Sequence, residues 1–152
     1  MVLVNVDKEI NVDEQKIINK LNEYQNNDNV DKLEALFNLQ NMYDQYIKEK
    51  RNLDYSDTEK WVQKMCTAII TEACELNDAC NWKWWKNNKD IDWDNIKEEI
   101  VDLWHFLLSL TIKVGLMPKD ILEQYINKNL ENYKRQLGTS ERDGYQYNRS
   151  KL

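Results

Sequence analysis

Glycine and proline are scarce in this chain, which has three glycines and one proline among 152 residues. Both residues mark turns, so a chain with so few of them is most easily built from long helices joined by short polar links. The spacing of the apolar residues agrees and predicts helices near residues 13–24, 31–50, 58–79, 94–114 and 118–136. We therefore expect a single all-α domain over residues 1–152, with an irregular C-terminal tail from residue 137 onward.

Cysteine, histidine and positive charge are also in short supply. The three cysteines lack Cys-x-x-Cys spacing and there is a single histidine, which argues against a disulfide framework and a zinc site. The net charge of −6 argues against non-specific binding to nucleic acid, which requires a basic face. No apolar run is long enough to cross a membrane, and the first residues lack the basic region of a signal peptide. We expect a reduced, cytoplasmic protein that binds neither nucleic acid nor membranes.

Two pairs of acidic residues carry the strongest functional signal. Glu72-x-x-Glu75 and Glu99-x-x-Asp102 each place two carboxylates on one face of a predicted helix. Glu72 and Glu75 also continue an otherwise apolar stripe, where an unpaired charge is unfavourable. Solvated surface charge is the ordinary explanation of one such pair. Two pairs on consecutive helices favour a Mg²⁺ site, because this ion prefers oxygen ligands, and so indicate an enzyme acting on a phosphorylated substrate.

Several other side chains allow two interpretations each. Gln40 interrupts an apolar helical stripe and either bonds to the backbone or reads the polar edge of a nucleobase. The tryptophan-rich link around Trp85 either covers the core or stacks on a flat ring. A basic face that includes Lys128 and Arg135 either complements the helix dipole or holds phosphates. His105 lacks partners for zinc binding or catalysis, so we interpret it as a core histidine or as support for a neighbouring site residue.

The order of these motifs resembles that of a known family. The chain contains, in order, LEALFNLQNMYD, EACEL, WWK, EEIVDLWHFL and KNLENYKRQ. This is similar to the dimeric all-α dUTPases, relatives of the MazG-type nucleotide pyrophosphatases, over residues 33–145. The paired carboxylates are shared by the whole superfamily, whereas Gln40, Trp85 and the KN…N..RQ segment are typical of the dUTPase branch. The resemblance implies a MazG-like helical bundle with a four-helix core, a homodimer, and an N-terminal extension over residues 1–30.

The resemblance also assigns roles to individual residues. It implies two or more Mg²⁺ ions, replaceable by Mn²⁺, held by Glu72, Glu75, Glu99 and Asp102. Glu72 would also orient or deprotonate the attacking water. The residues expected to contact the substrate are Gln40 and Asp44 at the uracil, Trp84 and Trp85 around the base, and Lys86, Lys128, Asn132, Arg135 and Tyr145 toward the phosphates. Tyr145 departs from the family pattern, because LGTSERD intervenes before Gly144-Tyr145.

These expectations converge on Mg²⁺-dependent hydrolysis of dUTP to dUMP and pyrophosphate by a metal-activated water. Two alternatives stay open. One is a related all-α nucleotide pyrophosphatase with another base preference, such as dCTP or a modified nucleotide. The other is a non-catalytic helical adaptor whose carboxylates are surface charge. The amide of Gln40 can turn to suit either pyrimidine, so the sequence does not choose between the bases.

Overall fold

The structure is a computed structural model that describes residues 12–27 and 29–142. Within these residues the chain forms five α-helices and no strand. They are α1 (Val12–Asn26), α2 (Lys32–Lys50), α3 (Thr58–Ala79), α4 (Trp93–Lys113) and α5 (Pro118–Leu137). The all-α prediction is confirmed, and every helix begins and ends within two residues of its predicted bounds. The periodicity of the apolar residues was therefore sufficient to locate each helix in the sequence.

The helix ends have local causes that can be read in the sequence. Asp31, Asp57 and Asp92 precede α2, α3 and α4, and each carboxylate accepts a hydrogen bond from a backbone N–H of the first turn. These bonds satisfy donors that a helix leaves unpaired at its N-terminus. Pro118 begins α5, where its missing N–H is no loss. Gly138 ends α5 with φ of 73°, a left-handed conformation that residues with a Cβ rarely adopt.

Helices α2, α3 and α4 pack together and position the candidate site. Glu75 near the end of α3 meets Glu99 near the start of α4. Lys113 at the end of α4 donates a hydrogen bond to the carbonyl of Tyr55, just before α3. These two contacts show that α3 and α4 run antiparallel. Helix α2 runs in the same direction as α4, because Gln40 bonds to His105 and Asp44, one turn later on α2, lies beside Ser109, one turn later on α4.

The buried core of the described residues is small and is built from these same three helices. Its apolar members are Ala35, Phe37, Trp61, Met65, Ala79 and Leu108. Helix α5 contacts α2 and has no buried residue, whereas α1 has no extensive contact with another helix. The predicted four-helix core is therefore not confirmed: α4 packs against α3 and α2, and α5 contacts α2.

No single helix of the described residues is long and apolar enough to span a membrane. Taken together, α4 and α5 satisfy length and composition, but they meet at an angle of 104°.

Candidate active site

Three carboxylates from α3 and α4 converge at one point. One carboxylate oxygen from each of Glu72, Glu75 and Glu99 lies within 4.8 Å of the other two. The spacing of three puts Glu72 and Glu75 on one face of α3, and the antiparallel packing brings Glu99 opposite them. Asp102, one turn further along α4, is close enough to act electrostatically on both Glu72 and Glu99. We call these four side chains the carboxylate cluster.

Two members of the carboxylate cluster, Glu72 and Glu99, have a raised pKa. Desolvation is the largest cause of the raised pKa of Glu72, and the negative charges of Glu75 and Asp102 raise it further. The pKa of Glu99 is raised for the same reasons. Like charges this close repel, so a cation among them would relieve the repulsion. Because every donor is a carboxylate oxygen, the residues present fit a hard divalent cation such as Mg²⁺ or Mn²⁺.

A cavity of about 560 Å³ lies beside the carboxylate cluster. Asp102 forms part of its wall and links the cavity to the cluster, whereas Glu72, Glu75 and Glu99 do not line it. The aromatic rings of Tyr43, Tyr55, Trp61 and Phe106 line other parts of the wall. This volume falls within the usual range of small-molecule sites, and aromatic walls with a few polar groups are typical of such sites. The arrangement joins an acidic end, suited to metal and phosphate, to an aromatic end, suited to a flat ring.

A chain of hydrogen bonds crosses the wall of this cavity. Gln40 is buried, with 5% of its surface exposed. Its Nε2 donates to Oδ1 of Asp44 over 2.8 Å, and its Oε1 lies 2.7 Å from Nδ1 of His105. Burial raises the pKa of Asp44, while contacts with Ser109, Gln40 and His105 act in the opposite direction. The amide predicted to read a base is therefore held at both ends by neighbouring side chains.

The predicted aromatic wall of the base pocket lies elsewhere. Trp84 and Trp85 belong to the link between α3 and α4, where their rings meet edge to face with centroids 5.6 Å apart. Trp84 is 87% exposed, and neither ring lines the cavity. Asn81 closes this link by bonding both backbone groups of Lys89. Lys86 lies in a smaller hollow of the same link, so these three predicted contacts stay predictions.

The predicted phosphate-binding residues of α5 are not part of the cavity wall, and their role stays a prediction. Lys128 and Asn132 are exposed, and Nε of Arg135 donates to a carboxylate oxygen of Glu131 over 3.2 Å. None of the three lines the cavity. Tyr145 lies outside the described residues.

The structure also lines the cavity with residues that were not predicted from the sequence to contact the substrate. His105 is one of them, and because it is exposed it is not a core histidine. His105 follows Asp102 by one turn on α4, and that spacing was the available signal that it faces the same space. Tyr43 follows Gln40 by three residues and lies on the same helical stripe. Tyr55 has no such signal, because it belongs to an irregular link whose path only the folded structure defines.

These features define an all-α domain in which a carboxylate cluster borders a cavity of nucleotide size. A family model described as dUTPase matches residues 32–119, which is more than half of the chain. The chain therefore belongs to the dUTPase family, which supports a nucleotide pyrophosphatase. The match contains Gln40 and the carboxylate cluster, and it ends before Lys128. No curated protein and no solved structure gives a significant match.

Proposed function

We propose that the protein hydrolyses dUTP to dUMP and pyrophosphate with Mg²⁺, or with Mn²⁺ in its place, and that it works as a homodimer in the cytoplasm. One observation carries the proposal: in a chain of the dUTPase family, a carboxylate cluster borders a cavity large enough for a nucleotide. The three cysteines are free, which agrees with a reducing compartment.

The carboxylate cluster offers the oxygen ligands that metal-dependent cleavage of a phosphoanhydride bond requires. Glu72, Glu75 and Glu99 would hold the cation, with Asp102 beside them. When bound, the metal supplies charge neutralisation for the phosphates and lowers the pKa of the attacking water. Glu72 would also orient the attacking water or take its proton, as the resemblance to the family implies.

The proposed reaction balances as a single displacement. The water oxygen bonds to the β-phosphorus, and the bond from this phosphorus to the oxygen shared with the α-phosphate breaks. The dUMP leaves with that bridging oxygen, and the proton of the water passes to Glu72. Attack away from the α-phosphorus also allows dUDP to be a substrate, with phosphate as the second product.

The cavity has the length to connect the two ends of a nucleotide. Asp102 and Ser109 both line it, and seven residues of α4 separate them by about 10 Å. Phosphates at Asp102 would place the base near Gln40 and Asp44, which lie beside His105 and Ser109. The aromatic residues between these ends offer surfaces for sugar and base. In this placement Gln40 and Asp44 would recognise the base.

Exposed apolar residues support the homodimer. Helix α5 carries a stripe of large apolar side chains at helical spacing, each more than half exposed: Leu122, Ile126, Leu130, Tyr133 and Leu137. Helix α4 exposes Trp104 and Leu107 as well. Contiguous apolar surface of this kind is unfavourable in water and marks an interaction face. A second copy of the chain is the partner we propose.

Pyrophosphate release from each deoxynucleoside triphosphate tests the function. The wild-type protein and Glu72→Gln would be incubated with Mg²⁺ and each nucleotide in turn. We expect release from dUTP well above the other nucleotides, and almost none from the variant. Equal release from all nucleotides would exclude the dUTP assignment and favour a pyrophosphatase of another or no base preference.

A binding measurement separates the enzyme from a non-catalytic adaptor. Mg²⁺ together with a non-hydrolysable dUTP analogue should raise the melting temperature, because both ligands bind only the folded state. An adaptor with solvated carboxylates would show no such rise and would release no pyrophosphate.

A further inference from the structure

The hydrogen bonds of Gln40 to Asp44 and to His105 fix the orientation of its side-chain amide. An ionised carboxylate only accepts hydrogen bonds, so the amide atom that faces Asp44 over 2.8 Å is the nitrogen. The amide oxygen then faces Nδ1 of His105 over 2.7 Å. Since a carbonyl oxygen only accepts, Nδ1 must carry the proton. The imidazole and the carboxylate hold the amide in one of its two orientations.

This orientation leaves specific groups for a ligand. The Nε2 of Gln40 has two hydrogens, and Asp44 accepts one of them, so one N–H remains. Gln40, Asp44 and His105 all line the cavity. The cavity wall at Gln40 therefore offers a donor, and the Asp44 carboxylate, which also accepts from Ser109, has further lone pairs that can accept beside it. A pyrimidine with a carbonyl at position 4 and a protonated N3 matches this pair, whereas one with an amino group and a bare N3 opposes it.

We propose that His105 is a positioning residue that sets the base selectivity of the site, by holding the Gln40 amide with its N–H toward the base. The inference rests on the proposed function, since it concerns the same pocket. A turned amide could accept from a cytosine amino group, but its oxygen would then face a carboxylate oxygen of Asp44, which opposes the turn. His105 opposes the same turn from the other end of the amide. With Nδ1–H of His105 bound to the Gln40 oxygen, that turn would place two donors against each other and lose a part-buried hydrogen bond.

Substitution of His105 tests this role through a ratio. His105→Leu removes the donor, while His105→Asn keeps an N–H near the position of Nδ1. The dissociation constants of dUMP and dCMP, and kcat/KM for dUTP and dCTP, would be measured for both variants and the wild type. We expect the preference for uracil to fall about fivefold in His105→Leu, the effect of one part-buried hydrogen bond. The Asn variant should recover most of it.

A merely structural role predicts a different result. It would weaken both nucleotides equally and lower the melting temperature, and it would leave the ratio unchanged. An unchanged ratio in His105→Leu, or an equal loss in His105→Asn, overturns the proposal. Should the Leu variant fail to fold, the Asn variant still decides, because loss of selectivity with an N–H donor in place contradicts the role.

The tautomer gives a second test that needs no variant. His105 is the only histidine of the chain, so its ¹⁵N signals need no assignment by mutation. We expect a protonated Nδ1 and an unprotonated Nε2 in alkaline buffer. The opposite tautomer overturns the proposal. The function itself is judged separately: a wild-type protein that binds dUMP selectively but releases no pyrophosphate refutes the catalytic assignment and leaves the role of His105 supported.

Discussion

A carboxylate oxygen of Glu72 on α3 lies within 4.8 Å of one of Glu99 on α4. Two negative charges at this separation are unfavourable unless something compensates them. Desolvation is the largest cause of the raised pKa of both groups, and the charges of neighbouring carboxylates raise it further. The antiparallel pair α3–α4 maintains this contact through its apolar packing. The apolar contacts between α3 and α4 therefore hold these two carboxylates close together, in an arrangement that suits a cation.

Neutralising one member of the carboxylate cluster should lower activity strongly without unfolding the protein. We expect Glu99→Gln to lower kcat with dUTP about a hundredfold or more, the usual effect of removing a charge from such a site. Because the substitution also removes repulsion, the melting temperature in EDTA should rise. Glu59→Gln, in the first turn of α3, is the matched control and should behave as wild type. Full activity of Glu99→Gln would show that the cluster is not the catalytic centre.

Truncation of Gln40 should affect base selectivity more than metal binding. In Gln40→Ala we expect the ratio of kcat/KM for dUTP over dCTP to fall about tenfold, the value of one or two buried hydrogen bonds. The Mg²⁺ affinity, measured by calorimetry, should stay close to that of the wild type because Gln40 bonds to Asp44 and His105 and not to the cluster. A collapse of metal affinity instead would place Gln40 in the metal site.

Asp44 should make stability depend on pH in a predictable direction. Burial raises its pKa above the value in the unfolded chain, so the folded state holds its proton more tightly. The stabilisation from this group is present below the unfolded pKa of about 4 and is lost as the pH rises through the raised folded pKa. Asp44→Asn carries no such charge. The melting temperature of the variant, relative to wild type, should therefore be higher near about pH 8 than near about pH 4. An equal difference at both values would mean that the pKa of Asp44 is ordinary.

Charge on the exposed stripe of α5 should separate the proposed dimer. The wild type is expected at twice the chain mass of 18.4 kDa in analytical ultracentrifugation. Leu122→Glu together with Ile126→Glu should shift the protein to the monomer mass, because both side chains are more than half exposed and apolar. Glu123→Ala, on the neighbouring face, provides the control. A monomeric wild type, or a double variant that stays dimeric, would contradict this interface.

Much of the fold and part of the site follow from the sequence. Helix periodicity, acidic N-caps such as Asp57 and the helix-ending Gly138 act within a few residues, so the helices could be predicted closely. The carboxylate pair of α3 could be placed on one face for the same reason. What periodicity does not give is the rotation of one helix against another, and so it did not show which residues share a cavity.

The tertiary structure alone decided how the parts of the site meet. Glu99 reaches Glu72 and Glu75 because α3 and α4 pack antiparallel, and Gln40 meets His105 because α2 lies alongside α4 in the same direction. These contacts join residues far apart in the chain and depend on side-chain packing that no local pattern encodes. Composition and spacing by themselves determined five helices and two acidic pairs. Packing decided that three of those carboxylates form one site, and that a lone histidine holds the glutamine beside it.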